Sequence, residues 1–332
     1  MKAEDVRSRS LISIRDLPLD EILRILERAE ALAADPARET SALRGRVMAS
    51  IFLEPSTRTR LSFEAAMLRL GGDVLTLAEE EASSFAKGET LEDAVRVVSS
   101  YADVIVLRHP EAGAAERALA ASDVPLINAG DGGREHPSQA LLDLLTLKCE
   151  CGRLEDLTVL LYGDLLHSRT IHSLAPLLLR LGALLILLPE PGRDLPHAMI
   201  GAEEELAVGA CEVRGLAPLG SVAESIRAIG PLSRLPAGGR VLELDSGTVD
   251  AIYATRLQDE RKSGSRSREL TLPVIDEGFL DVPALRRAVV LHPLPRRGEV
   301  SRSIDQDPRA AYFRQAALGV PLRMALLLRA LH

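Results

Sequence analysis

Cysteine and long apolar runs are both scarce in this 332-residue sequence. The number of cysteines is odd, and the opening MKAEDVRSRS is charged and carries no apolar core, so we expect reduced thiols in a cytoplasmic protein. The three thiols belong to Cys149, Cys151 and Cys211. The most apolar stretch, residues 174–189, is interrupted by an arginine and a glycine, which predicts a helix and a buried strand and argues against a membrane span.

Lysine is also rare, because only four of the 40 basic residues are lysines and the others are arginines. The formal net charge of −8 argues against a broad nucleic-acid or membrane-binding face. Metal binding is not expected either. The CEC sequence has no second ligand pair at metal spacing, and His167 and His172 are five residues apart, on different faces of a helix.

Short apolar runs alternate with helix-period segments, which is typical of α/β folds whose parallel sheets are covered by helices. The strand candidates are residues 47–53, 73–78, 103–108, 125–130, 157–164, 183–190, 211–216, 251–256 and 288–295. We therefore predict two doubly wound parallel-sheet domains joined by a connecting helix, with the active site in the cleft between them. The first comprises residues 1–138 plus a C-terminal helix at 308–332, bent near Gly319 and Pro321, and the second comprises 139–307.

A dense group of hydroxyls and guanidiniums follows the first predicted strand. It consists of Ser56, Thr57, Arg58, Thr59 and Arg60. The group stands where a helix should begin, and a helix N-terminus offers unpaired N–H groups and partial positive charge to an anion. A capped helix with solvated arginines is the alternative for an isolated Ser-Thr-Arg, but the whole STRTR sequence after an apolar strand favours a phosphate site. Neither G-x-x-x-x-G-K-[ST] nor G-x-G-x-x-G occurs, so a nucleotide-binding fold is not predicted.

The sequence FLEPSTRTRLSFEAAMLRLGG resembles the carbamoyl-phosphate signature of the aspartate and ornithine carbamoyltransferase family. The resemblance continues, in the order of that family, through SSFAKGETLED, LRHPEAG, NAGDGGREHPSQALLDLLTL, YGDLLHSRTIHSL, YATRLQDER and LHPLPR. It implies a carbamoyl transfer from carbamoyl phosphate to an amine, in pyrimidine synthesis if the amine is that of aspartate. It also implies direct attack through a tetrahedral intermediate, with no cofactor.

The resemblance also implies which residues contact carbamoyl phosphate. The phosphate is held by the STRTR turn, through Ser56, Thr57, Arg58 and Thr59. Arg108 supplies a further guanidinium, His136 polarises the carbamoyl oxygen, and Gln139 accepts a hydrogen bond from the carbamoyl amide. Thr59, Arg108 and His136 are expected to surround the developing oxyanion. A structural helix-terminal histidine is the alternative for His136, but Gln139 and the preceding NAGDGG loop favour the catalytic role.

Lys87 stands in AKGETLED, where the family donates a serine and a lysine to the active site of the neighbouring subunit. Ser83 and Lys87 match these residues by spacing, and Ser84 matches less well. The alternative is an ordinary solvated loop lysine. The resemblance implies a homotrimer with shared active sites, and it leaves open whether a regulatory chain or a dihydroorotase associates.

The second substrate is indicated by arginines, because a guanidinium grips a carboxylate through two parallel hydrogen bonds. By resemblance, Arg169, Arg256 and Gln258 bind the carboxylates of aspartate, while Leu294 and Pro295 contribute through the HPLP turn, where the Leu294 carbonyl orients the amine. A carbamoyltransferase for another amine such as ornithine is the first alternative. A catalytically silent subunit of the same family is the second.

Two segments depart from the family pattern. After HPLPR the family commonly has a small or apolar residue and then an acid, whereas this chain has Arg297 and Gly298. Residues 217–250 are longer than the family requires at that point, and we interpret them as a surface insertion with no assigned role. Neither departure falls on a position expected to contact substrate.

Overall fold

The computed structural model describes residues 3–78, 88–199, 208–214, 226–234, 241–257 and 271–332. The chain folds as two compact units. Unit 1 comprises Met1–Leu145 and Ala316–His332, and unit 2 comprises Thr146–Gln315. The assignment of residues 1–138 plus 308–332 to one substrate and of residues 139–307 to the other stays a prediction.

Unit 1 is built on a four-stranded parallel sheet with the strand order β2-β1-β3-β4. Its strands are β1 (Val47–Phe52), β2 (Asp73–Ala78), β3 (Val104–His109) and β4 (Leu126–Asp131). Its helices are α1 (Ala3–Arg9), α2 (Leu19–Ala34), α3 (Thr57–Arg69), α4 (Leu91–Val98), α5 (Ala114–Ala121), the first part of α6 (Pro137–Cys151), and α10 (Gly319–Leu331). All four strands predicted in this part of the chain are confirmed.

Apolar patterning explains which elements of unit 1 are buried. Strands β1, β3 and β4 are buried over nearly their whole length, as expected for parallel strands covered on both faces, whereas the edge strand β2 is largely exposed. Helix α2 buries one stripe at helical spacing, which includes Ile22, Leu26 and Ala29. This helix begins at Leu19, with Pro18 at the N-cap position.

Unit 2 contains a seven-stranded sheet with the order β11-β10-β5-β6-β8-β7-β9. Its strands are β5 (Thr158–Gly163), β6 (Leu184–Pro189), β7 (Val208–Arg214), β8 (Arg227–Pro231), β9 (Val241–Glu243), β10 (Ala251–Thr255) and β11 (Val289–Leu291). Its further helices are α7 (Arg169–Arg180), α8 (Glu277–Leu280) and α9 (Tyr312–Ala317). The run β11-β10-β5-β6 is parallel, as predicted, but β8 is antiparallel to both β6 and β7.

The interpretation of residues 217–250 as a surface insertion is wrong for its described part. Strand β8 pairs with β6, and Ile226 and Ala228 are buried in the core of unit 2. Strand β9 adds an edge by pairing with β7. The segment therefore extends the sheet, because its short apolar runs find neighbours that a reading of local sequence does not reveal.

The C-terminal segment forms two helices instead of one bent helix. Helix α9 ends at Ala317 and α10 starts at Gly319, so the break falls at Leu318. Pro321 lies in the first turn of α10, where a missing N–H costs nothing. Helix α10 packs on α2 and α3, and its Arg329 donates to the Arg9 carbonyl at 2.8 Å. In the described ranges no helix has both the length and the apolar content needed to cross a membrane.

Candidate functional site

The STRTR sequence begins at the N-cap of α3, and its last four residues form the first turn of that helix, called here the STRTR turn. Ser56 is the N-cap residue of α3, yet its side chain makes no capping hydrogen bond. Thr57 and Arg58 are exposed, whereas Thr59 is buried on the inner side of the first turn. Because α3 lacks a side-chain cap, its first turn presents N–H groups and hydroxyls to whatever lies in front of it. This is the arrangement that an anion site requires.

Arg108 lies beside this turn, at the end of β3. It pairs with Phe52 in the parallel register of β1 and β3, and its carbonyl accepts from the Leu53 N–H at 2.9 Å. The side chain is only 10% exposed. Its Nε lies 3.2 Å from Glu54 Oε2, and its Nη1 lies 3.4 Å from the Ala129 carbonyl oxygen. A nearly buried guanidinium is thus fixed next to the N-terminus of α3.

The strand order explains why these groups meet. From β1 the chain goes to β2 on one side and then crosses to β3 on the other, so β1 and β3 flank the topological switch point of the sheet. In open α/β sheets, ligands bind outside the carboxyl ends of the strands at such a point. The STRTR turn follows β1, and Arg108 is the penultimate residue of β3. Both therefore lie where the fold itself creates a crevice.

His136 and Gln139 reach the same edge of the sheet from the start of α6, which follows β4. Both side chains are buried. His136 Nδ1 lies 3.4 Å from Ser138 Oγ, and Gln139 Nε2 donates to Asp143 Oδ1 at 2.7 Å. Since the amide nitrogen of Gln139 faces the carboxylate, its oxygen is the atom left to accept from a ligand. Asp143 was not singled out in the sequence, although its spacing of four residues from Gln139 on a helix is a usable signal.

The turn before His136 is fixed by buried carboxylates. Glu135 accepts from Ser13 Oγ at 2.7 Å and from the Ile14 N–H at 3.1 Å. Burial raises the pKa of the Glu135 carboxyl, and the hydrogen bonds from Ser13 and Ile14 oppose that rise. Burial also raises the pKa of Asp131, which accepts from the Gly113 N–H. The N-terminal segment thereby helps to hold the start of α6.

Unit 2 has its own cluster at the carboxyl ends of its parallel strands. Arg169 is the first residue of α7, which follows β5, and it is buried. Arg256 follows β10, the neighbour of β5, and its Nη1 donates to the Leu257 carbonyl at 3.1 Å. The strand order places the switch point of this sheet between β5 and β10, as it does for β1 and β3 in unit 1. The two arginines that are predicted to bind aspartate therefore lie at the edge of the sheet where ligands bind in open α/β folds.

Close approach of β5 and β10 depends on Gly163. Its φ is +105°, and a Cβ at this position would overlap the carbonyl oxygen of Thr255. Beyond it, the fully buried Asp164 binds Arg193, and its Oδ1 lies 3.0 Å from His167 Nδ1. His172 instead lies 3.1 Å from the Leu165 carbonyl, so the two histidines of HSRTIH contact different groups.

The HPLP turn follows β11. Leu294 has φ +55°, and the Leu294–Pro295 peptide bond is cis. The Leu294 N–H donates to His292 Nδ1 at 2.8 Å. Three further predicted site residues, Ser83, Lys87 and Gln258, lie outside the described residues, so their roles stay predictions.

Comparisons with known proteins agree on one family. A family model described as "Aspartate/ornithine carbamoyltransferase, carbamoyl-P binding domain" matches residues 9–149. A second, described as "Aspartate/ornithine carbamoyltransferase, Asp/Orn binding domain", matches residues 243–330. Aspartate carbamoyltransferase catalytic subunits from Archaeoglobus fulgidus and Lachnoclostridium phytofermentans are 43% and 41% identical to this chain. These alignments cover 96% of this chain in both cases, and 98% and 97% of the relatives.

Solved structures give the same result. The aspartate transcarbamoylase from Trypanosoma cruzi in complex with carbamoyl phosphate is 35% identical with a TM-score of 0.80, over 97% of this chain and 96% of that one. The catalytic subunit of the M. jannaschii enzyme is 35% identical with a TM-score of 0.75, over 97% of both chains. The chain therefore belongs to the aspartate/ornithine carbamoyltransferase family.

Proposed function

We propose that this chain transfers the carbamoyl group of carbamoyl phosphate to the amine of L-aspartate, giving N-carbamoyl-L-aspartate and phosphate. The observation that carries the proposal is the meeting of the uncapped N-terminus of α3 with the nearly buried Arg108 at the switch point of unit 1. Such a site suits a small dianion. The names of the relatives and the ligands of the solved structures support this particular dianion and this acceptor.

Carbamoyl phosphate binds at the edge of unit 1 in this proposal. Its phosphate is held by Ser56, Thr57, Arg58 and Thr59. Arg108, His136 and Thr59 donate toward the carbamoyl oxygen, and the oxygen of Gln139 accepts from the carbamoyl amide. The Asp143 contact supports that orientation, because it fixes the nitrogen of the Gln139 amide on the opposite side.

Aspartate binds through the arginines of unit 2. Arg169 and Arg256 pair with its carboxylates, Gln258 adds a hydrogen bond, and the HPLP turn at Leu294 and Pro295 orients the amine. The alternative of ornithine is not retained, since the similar catalytic subunits act on aspartate by name. A cationic acceptor would also meet guanidinium groups of its own charge at this edge.

The reaction is a direct attack of the neutral amine on the carbamoyl carbon. The C–N bond forms as charge moves onto the carbamoyl oxygen, and the tetrahedral intermediate then releases phosphate, which takes up the proton of the amine. Catalysis consists of positioning and of stabilising the oxyanion with fixed donors, each contributing about 3 kcal/mol. No step calls for a cofactor.

The proposed assembly is a homotrimer in which Ser83 and Lys87 complete the site of a neighbouring copy. Strand β2 is a sheet edge with Leu75 exposed, and α3 exposes Leu61 and Leu68. Exposed apolar side chains next to an open edge favour contact with another chain. Ser83 and Lys87 lie five and nine residues after the end of β2 in the sequence, so such a contact would bring them toward the partner.

Shared sites can be tested by subunit exchange. We expect His136→Ala and Lys87→Ala proteins, each nearly inactive, to regain activity when mixed, because some sites in a hybrid would receive both native residues. Mixing either variant with itself is the control. Unchanged inactivity after exchange, confirmed by mass spectrometry of the hybrids, would contradict the shared site.

The reaction itself is tested by incubating the purified protein with carbamoyl phosphate and either L-aspartate or L-ornithine. We expect carbamoylated product with aspartate alone. Product with ornithine would contradict the roles of Arg256 and Gln258. A folded protein that binds carbamoyl phosphate yet yields no product would support the silent-subunit alternative.

A further inference from the structure

The HPLP turn contains a backbone conformation that must be stabilised by contacts with surrounding residues. Leu294 is not a glycine, yet its φ of +55° lies in the left-handed region. For a residue with a Cβ this conformation is sterically unfavourable. Such conformations persist where the surroundings hold them, and they are concentrated at functional sites.

The imidazole of His292 contacts this turn, and its two hydrogen bonds determine which ring nitrogen carries the proton. The Leu294 N–H donates to Nδ1 at 2.8 Å, so Nδ1 carries no proton. On the other side of the ring, Nε2 lies 2.6 Å from Glu299 Oε1, so Nε2 carries the proton and donates it to the carboxylate. A doubly protonated ring would place an N–H against the N–H of Leu294, which cannot accept. The contacts therefore assign a neutral imidazole with the proton on Nε2.

Glu299 is fixed in turn. It is fully buried, and its two oxygens accept from the Arg297 N–H at 3.1 and 3.0 Å. Burial raises the pKa of its carboxyl, and the hydrogen bonds from His292 and the backbone oppose that rise. The backbone N–H of His292 donates to Gln315 Oε1 at 2.9 Å. Both ends of the turn are thus tied to buried side chains.

We propose that His292, oriented by Glu299, is a positioning residue that fixes the Leu294 carbonyl for the amine of the acceptor. The proposal rests on the proposed function. His292 touches no substrate in it. The ring acts by holding the N–H of Leu294, and the carbonyl of the same residue is thereby held in one direction. A loosened turn would misplace the amine relative to the carbamoyl carbon, and a misplacement of about 1 Å can cost about 100-fold in rate.

Two substitutions separate this role from simple packing. His292→Asn removes volume but keeps an acceptor near the position of Nδ1, whereas His292→Phe keeps the ring and removes the acceptor. We expect His292→Phe to lower kcat/KM for aspartate about 100-fold and His292→Asn to retain most of it, with carbamoyl phosphate affinity unchanged in both. If packing alone mattered, His292→Phe would be the more active variant, and that order would overturn the proposal. Circular dichroism and urea unfolding verify the fold of each variant. Glu299→Gln, which we expect to lower kcat/KM for aspartate about tenfold, replaces any variant that fails to fold.

Nitrogen NMR of histidine-labelled protein gives a readout that does not depend on catalysis. We expect one signal set from a neutral, Nε2-protonated ring that disappears in His292→Asn. A cationic ring or a proton on Nδ1 would overturn the proposal. If the wild-type protein formed no carbamoylaspartate, the proposed function would fail and the acceptor part of this proposal with it, while the NMR result would still decide whether His292 clamps the turn.

Discussion

Replacing Arg108 by methionine tests the phosphate site of unit 1 most directly. Methionine keeps the buried aliphatic path of the side chain and removes only the guanidinium. The structure predicts two consequences. The ligand loses a fixed donor, and the Glu54 carboxylate, 3.2 Å from Arg108 Nε, loses its compensating charge.

Both losses can be sized. One donor to the developing oxyanion contributes about 3 kcal/mol. With a guanidinium between them, the carboxylate and the phosphate would be about 7 Å apart, so their repulsion is about 2 kcal/mol per phosphate charge at an effective dielectric constant of about 20. For the phosphate dianion the repulsion is about 4 kcal/mol, so the two terms together lower kcat/KM for carbamoyl phosphate by about five orders of magnitude in Arg108→Met. Adding Glu54→Gln removes the repulsion and should recover about three orders of magnitude in kcat/KM.

Initial rates of carbamoylaspartate formation and calorimetric titration with carbamoyl phosphate measure these effects. Arg24→Met, which removes an exposed guanidinium paired with Asp20 on α2 of the same unit, is the matched control and should behave as wild type. Wild-type affinity for carbamoyl phosphate in Arg108→Met would refute the assignment of Arg108. No recovery on adding Glu54→Gln would refute the electrostatic part of the reasoning.

Three further substitutions test other parts of the molecule. Arg256→Ala should lower kcat/KM for aspartate about 100-fold through a lost charged hydrogen-bond pair, and equal loss of carbamoyl phosphate affinity would contradict its assignment. Gly163→Ala should lower the free energy of unfolding in urea by about 3 kcal/mol or more, whereas Gly152→Ala, also at positive φ but with open space around it, should cost about 1 kcal/mol. The hydrogen bond from Arg296 lowers the pKa of Asp305 to about 2, so its stabilisation is present above pH 4 and is lost as the pH falls toward 2. Asp305→Asn should therefore lower the free energy of unfolding at neutral pH and reduce its decrease between pH 4 and pH 2. An unchanged decrease in that range, measured by unfolding at a series of pH values, would contradict this.

Strands were predictable where the signal is local. Continuous apolar runs such as 47–53 and 183–190 became buried parallel strands, because a strand covered on both faces needs no alternation. Strand β8 was missed since RAIGP contains a glycine and a proline, which normally argue against a strand. Strand β9 has only three residues, too few for any period to show. Both strands form because they pair with β6 or β7, and these partners are distant in sequence.

The site shows the same division. The STRTR turn was predicted because a dense polar motif after a strand carries its own chemistry, and Arg108 was predicted from the family resemblance. Asp143 and Glu299 were not, because the sequence alone does not show which side chain either carboxylate contacts. Only the folded chain shows Asp143 against Gln139 and Glu299 against His292. A carboxylate that orients another side chain can be recognised only from its contacts, and those contacts depend on the tertiary structure.

The division of the chain also bears on the order of folding during synthesis. Unit 2 is one continuous stretch, Thr146–Gln315, whereas unit 1 needs Ala316–His332 in addition to its first part. Domains generally fold as units as they leave the ribosome, the N-terminal one first. Here the N-terminal unit must wait, because α10, which packs on α2 and α3, is translated only after the whole of unit 2. The apolar faces of α2 and α3 that await α10 are thus a natural target for a chaperone on the nascent chain.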